Sequence, residues 1–158
     1  MKTKQIRYGI VGGVAGGIIF GVQLELMGVL PMIGKLAGQA SAGVGLLVHL
    51  VNSVIIGVVF ALVLGRLING LASGVRYGLL YGIVWWFMGP LTLMPLLLGM
   101  GLTFDWSLGA MAEMLPSLVG HLVYGAILGA TYGWLEQRGS GRRSLASTGM
   151  TAEQGRGG

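Results

Sequence analysis

Cysteine is missing from this chain, which removes disulfides, thiolate metal sites and cysteine nucleophiles. Charge is almost as scarce: Asp, Glu, Lys and Arg make up 9% of the residues, against about 25% in soluble domains. A chain of 158 residues that is 54% apolar cannot cover itself with polar surface, so lipid must be part of its solvent. Catalytic signatures are missing too. There is no HExxH, no Gly-x-Ser-x-Gly and no Walker sequence. The glycine-rich run GIVGGVAGG has no strand before it and lies inside an apolar span, so it is no nucleotide loop. No nucleophile–base pair is visible, and the sequence predicts a protein that is not an enzyme.

Glycine, by contrast, is abundant at 31 residues, most of them inside apolar runs. Flexible low-complexity chains are polar, so that class is excluded. Glycine in apolar helices instead allows backbones to approach closely. Four apolar spans stand out, roughly 8–30, 43–65, 76–99 and 116–137. Each is long enough to cross about 30 Å of hydrocarbon. The expected fold is all-α, an integral membrane four-helix bundle over 1–138, followed by a disordered basic cytoplasmic tail over 139–158. The first span runs too long for a signal peptide, has no small-x-small site and ends at Glu25. Between spans, Leu30, Met32, Ile33 and Leu36, then Trp106, Leu108, Met111 and Met114, suit short amphipathic segments lying along the membrane surface, with Asp105 as an N-cap.

The net charge of +5 does not point to nucleic acid, because the basic residues flank spans rather than line a soluble face. Lys2, Lys4, Arg7, Arg66, Arg76, Arg138, Arg142, Arg143 and Arg156 fall on one side of a four-span protein, and Lys35 alone falls on the other. The positive-inside rule makes the first side cytoplasmic, giving both termini inside and the lipid bilayer as the first partner.

The spans also pair as two tandem hairpins, about 7–66 and 76–138. Arg7-Tyr8-Gly9 is echoed by Arg76-Tyr77-Gly78, and His49-Leu50-Val51 by His121-Leu122-Val123. Copies of two spans share an orientation, so this would be a parallel repeat. Small residues recur four apart in every span: Gly9, Gly13, Gly17 and Gly21; Ser53, Gly57, Ala61 and Gly65; Gly74, Gly78 and Gly82; Gly125, Gly129 and Gly133. These rows are candidate packing surfaces, within the chain, with another copy of it, or with another membrane subunit. Pro90 and Pro95 each remove a backbone donor, so the third span should kink or unwind.

Extending the rows outward by four reaches Glu25, His49 and His121. At about 1.5 Å per residue they stand about 25–27 Å above the inner arginines, level with Met94. Glu25, His49, Met94 and His121 are therefore the candidate ligand- or ion-binding layer, with Glu113 just above it. Ionisable groups at membrane depth tend to be functional. Imidazole and thioether suit copper, and two matched histidines, His49 and His121, suit a metal or a b-type haem. A hydrogen-bonded cluster that only joins helices satisfies the same residues, and the cofactor stays undetermined.

The stretch Glu113-Met-Leu-Pro-Ser-Leu-Val-Gly-His121-Leu-Val-Tyr, with Glu136-Gln-Arg138 at the exit of the last span, resembles the YagU-like family of small bacterial inner-membrane proteins. Met-Gly-Pro-Leu-Thr at 88–92 is similar to that family's proline-containing third span. The resemblance implies a bacterial inner membrane and no biochemistry. The expected function is a non-enzymatic scaffold or accessory subunit of a membrane complex. The alternative is a metal-, haem- or proton/solute-handling membrane protein that uses the Glu/His/Met layer.

Overall fold

The computed structural model describes the backbone over residues 2–101 and 107–154, so Asp105 and Trp106 lie outside the described residues. All regular structure among them is helical. The elements are α1 (Lys2–Leu26), α2 (Leu30–Gly34), α3 (Ala42–Leu64), α4 (Leu71–Met88), α5 (Met94–Leu97), α6 (Leu108–Glu113) and α7 (Leu115–Gln154). Four helical stretches, Thr3–Leu26, Ala42–Leu67, Leu71–Leu97 and Leu115–Gly141, are long and apolar enough to cross a membrane. These match the apolar runs expected from the sequence.

Local chemistry sets the boundaries. Gly28, at φ 67°, takes the left-handed turn that stops α1. Ser41 caps α3, its Oγ accepting from the Val44 N–H at 3.3 Å. Ser73 Oγ accepts from the N–H groups of Asn69 and Gly70 and so opens α4. Pro90 denies a donor to the carbonyl of Trp86, and the third span widens into a π-helical turn over Gly89–Leu93 before α5. There the Thr92 hydroxyl donates to the Phe87 carbonyl at 2.8 Å. The expected break in this span is thus a widened turn. α7 continues to Gln154, so the backbone of 139–154 is helical where the sequence predicts a disordered tail. Gly139 against Lys4 and Tyr8 gives that extension a tertiary anchor at its start.

α1 is the centre of the bundle: α3 packs on one of its sides and α7 on another, and α4 packs on α7. α3 and α4 meet more sparingly, through the Phe60 and Tyr81 rings 5.1 Å apart and a hydrogen bond from Tyr81 Oη to the Ile56 carbonyl at 2.9 Å. Phe60, Leu128 and Tyr132 are fully buried. Around them the outer surface is aliphatic, with Leu26 84% and Leu97 69% exposed. At one end Lys4 pairs with Glu136 at 3.2 Å and Gln137 lies against Gly70, so the start of α1, the turn before α4 and the Glu136–Gly139 stretch share that end. At the other end Gln23 Nε2 donates to the Pro116 carbonyl at 2.8 Å. α2 does not lie apart as a surface segment: Leu30 is buried and its backbone lies against Gly45 of α3.

Candidate functional site

The site is shaped by where helices approach closely and where they do not. A side chain on Gly9 would strike the Gly57 carbonyl, one on Gly57 would come within 2.9 Å of Gly13 Cα, and one on Gly17 would meet Ser53 Cβ at 2.7 Å. Along α4 and α7, Gly78 faces the Gly125 carbonyl, Gly74 faces Gly129, Gly82 faces His121 and Gly133 faces Gly70. Gly21 meets side chains instead, Leu46 at 3.0 Å and His49 at 3.4 Å. A further glycine face on α1 goes unread in the sequence. Gly12 and Gly16 each bring a Cβ position within 2.8 Å of a carbonyl on α7, those of Leu128 and Tyr124.

Between α3 and α4 the contact residues are large. Tyr81 and Trp85 occupy the α4 side, their rings 6.1 Å apart, and hold the two helices off each other. The result is a half-open cleft of about 790 Å³. Its mouth is edged by Leu47, Val51 and Ile55 of α3, by Leu93 at the end of the π-helical turn and by Leu97 of α5, all exposed on the outer face of the bundle. α2 contributes Met32 and Ile33 to the wall, and Glu113 and Met114 close it from above.

Phe20, His49, Ser53, His121 and Tyr124 form the floor. Phe20 stands edge-on to both imidazoles, with centroids 5.4 Å from His49 and 4.8 Å from His121. His49 is buried and its Nε2 is 2.9 Å from the Gly17 carbonyl. A carbonyl only accepts, so this nitrogen donates. Ser53 Oγ donates to the His49 carbonyl at 2.8 Å, and Tyr124 Oη donates to the Ser53 carbonyl at 2.7 Å. His121 Nδ1 donates within α7 to the Ser117 carbonyl at 2.8 Å.

Three of the four expected layer residues therefore share one cleft: His49, His121 and Met94. Glu25 does not join them. It is exposed and lines a separate groove between α1 and α3, beside Val22, Leu46 and Leu50. The reason is helical geometry. A row taken every four residues drifts by about 40° per step at about 3.6 residues per turn. At Gly21 the α1 row already meets side chains rather than backbone, and the next step turns Glu25 off the contact face.

One nitrogen of each imidazole is engaged by a carbonyl, His49 Nε2 by Gly17 and His121 Nδ1 by Ser117, and the Phe20 ring stands against both rings. Among the described residues no group of three His, Asp or Glu could hold a metal ion. Sequence reasoning also passed over Phe20, Tyr81, Trp85 and Tyr124. The two tyrosines did carry a signal, since a hydroxyl buried in an apolar helix needs a partner and both find carbonyls of α3.

The class defined so far is an all-helical bundle with four helices long and apolar enough to cross a membrane, carrying a side-opening cleft floored by two histidines. No family model, no curated protein and no solved structure matches the chain.

Proposed function

We propose that this chain is a four-span membrane protein, with both termini in the cytoplasm, that takes a lipid-soluble molecule sideways into the cleft between α3 and α4 and performs no reaction on it. The observation that carries this reading is the cleft itself. A cavity of about 790 Å³ with apolar walls and a few polar groups at its base suits a small ligand. Its rim of exposed aliphatic residues opens onto the face that hydrocarbon would cover. The bilayer setting is supported by the four apolar stretches and by the gathering of basic residues at the end where Lys4 meets Glu136. The likeness to YagU-like proteins favours a bacterial inner membrane.

The glycine rows are read as the seams that close each hairpin, and the two similar seams favour a duplication. Aligning Arg7-Tyr8-Gly9 with Arg76-Tyr77-Gly78 sets Gly12 and Gly16 against Tyr81 and Trp85. On this reading the duplicated seam stayed closed between α1 and α7 and opened between α3 and α4.

The accessory-subunit reading draws on part of the same rim, Leu47, Val51 and Ile55, which Leu62 continues as an exposed stripe along α3 that suits a partner helix. One experiment separates the two: purification from native membranes in mild detergent, organic extraction and mass spectrometry. Retention of a lipid-soluble molecule by the wild type, and its loss from the mouth-filling variant Leu93→Trp, supports the binding reading. A stoichiometric protein band with no small molecule overturns it in favour of the subunit.

A further inference from the structure

We propose that the cleft selects a lipid-soluble molecule whose head donates a hydrogen bond, the hydroxyl of an alcohol or phenol, and that His121 Nε2 is the acceptor that fixes it. This rests on the cleft being a ligand site, as above. The argument is a donor and acceptor count on the floor. The Ser53 hydroxyl is engaged by the His49 carbonyl, the Tyr124 hydroxyl by the Ser53 carbonyl, and the His49 Nε2–H by the Gly17 carbonyl. Every hydroxyl and imidazole donor of the five floor residues is thus used inside the protein, while the Asn52 amide and the Ser117 hydroxyl also line the cleft. Acceptors are left over. Because His121 Nδ1 gives its proton to the Ser117 carbonyl, the neutral ring keeps a lone pair on Nε2. His49, donating through Nε2, keeps one on Nδ1 in the same way.

The access to Nε2 of His121 is open because its neighbour across the cleft is glycine. The position a Cβ would take on Gly89 lies 3.7 Å from that nitrogen, at the start of the π-helical turn. Around it the walls are Phe20, Trp85, Met94 and Met114. An acceptor left bare in such surroundings is unfavourable, and an incoming donor relieves that cost, whereas an ether or ketone head brings a second acceptor against the first. At His121 the floor therefore discriminates by the hydrogen on the head rather than by head size.

The test compares a tritiated long-chain para-alkylphenol with its O-methyl ether, by scintillation proximity on the full chain in lipid nanodiscs. The expected result is binding of the phenol about tenfold tighter than the ether, the scale of one hydrogen bond. In His121→Phe the two probes should bind alike, at the affinity of the ether for wild type. Equal binding of both probes to wild type overturns the head-group proposal and leaves the cleft as an apolar ligand site. Binding of neither overturns the ligand-site reading as well. A phenol preference that survives in His121→Phe overturns the assignment to His121. The wild-type comparison stands even where the variant fails to fold.

Discussion

At the scale of the residue, the glycines divide by what a side chain would meet, and that division gives the first prediction. Gly17→Leu and Gly129→Leu drive a large group into Ser53 and into the backbone of α4, so each should lower stability by about 1–3 kcal/mol. Gly43→Leu, which meets nothing within 4 Å, should leave the melting temperature in detergent close to wild type. Equal effects at the three positions would remove the packing argument. The polar residues divide in the same way. His49→Ala strips a buried donor from the Gly17 carbonyl and should cost about 1–3 kcal/mol. Glu25→Gln, on an exposed side chain, should change the melting temperature little. Both histidines were legible in the sequence because each is one step beyond a small residue whose backbone lies in the contact face, Ser53 and Gly125. Glu25 was misread because it is one step beyond Gly21, where the row already meets side chains. Gly12 and Gly16 were missed because they interleave with Gly9, Gly13 and Gly17, and a period of four does not say how many faces of a helix are in contact.

The elements were the most legible level. Hydropathy runs fix helix number and length because about 20 apolar residues are what hydrocarbon thickness requires, and the four stretches appear where the sequence puts them. The connections were less legible, since an apolar linker reads alike whether it floats on a surface or packs into a groove. α2 packs because Gly34 and Gly45 let it reach α3, a contact distant enough in sequence to leave no local period. The third span carries the prediction at this scale. Pro90→Ala returns a donor to the Trp86 carbonyl and removes the reason for the π-helical turn. The turn should revert to α-helix, rotating Met94 and narrowing the cleft. Thermal stability should hold or rise while binding of the alkylphenol probe falls. Unchanged probe binding would separate the turn from the cleft's shape.

For the whole molecule, the shared end of Lys4, Gly70 and Gln137 agrees with an even number of crossings. Reporter fusions after Gly70 and Gly158 should behave as cytoplasmic and one at Gly38 as external, by the positive-inside rule. An external signal at Gly70 would sink the four-span topology. What sequence could not supply was which seam closes and which gapes, because that is decided by bulk meeting bulk across helices far apart in the chain. The place of α1 between α3 and α7 has a further consequence, in time rather than in space. Among the described helices α1 is made before the others, yet the partner of its Gly12 and Gly16 face is α7, which follows all of them. Until α7 is made that face has no partner helix, and the bundle cannot close. This seam has the longest sequence separation in the fold, so it should form late. A nascent chain stalled before Leu115 would hold one finished hairpin face and one naked glycine groove on the same helix.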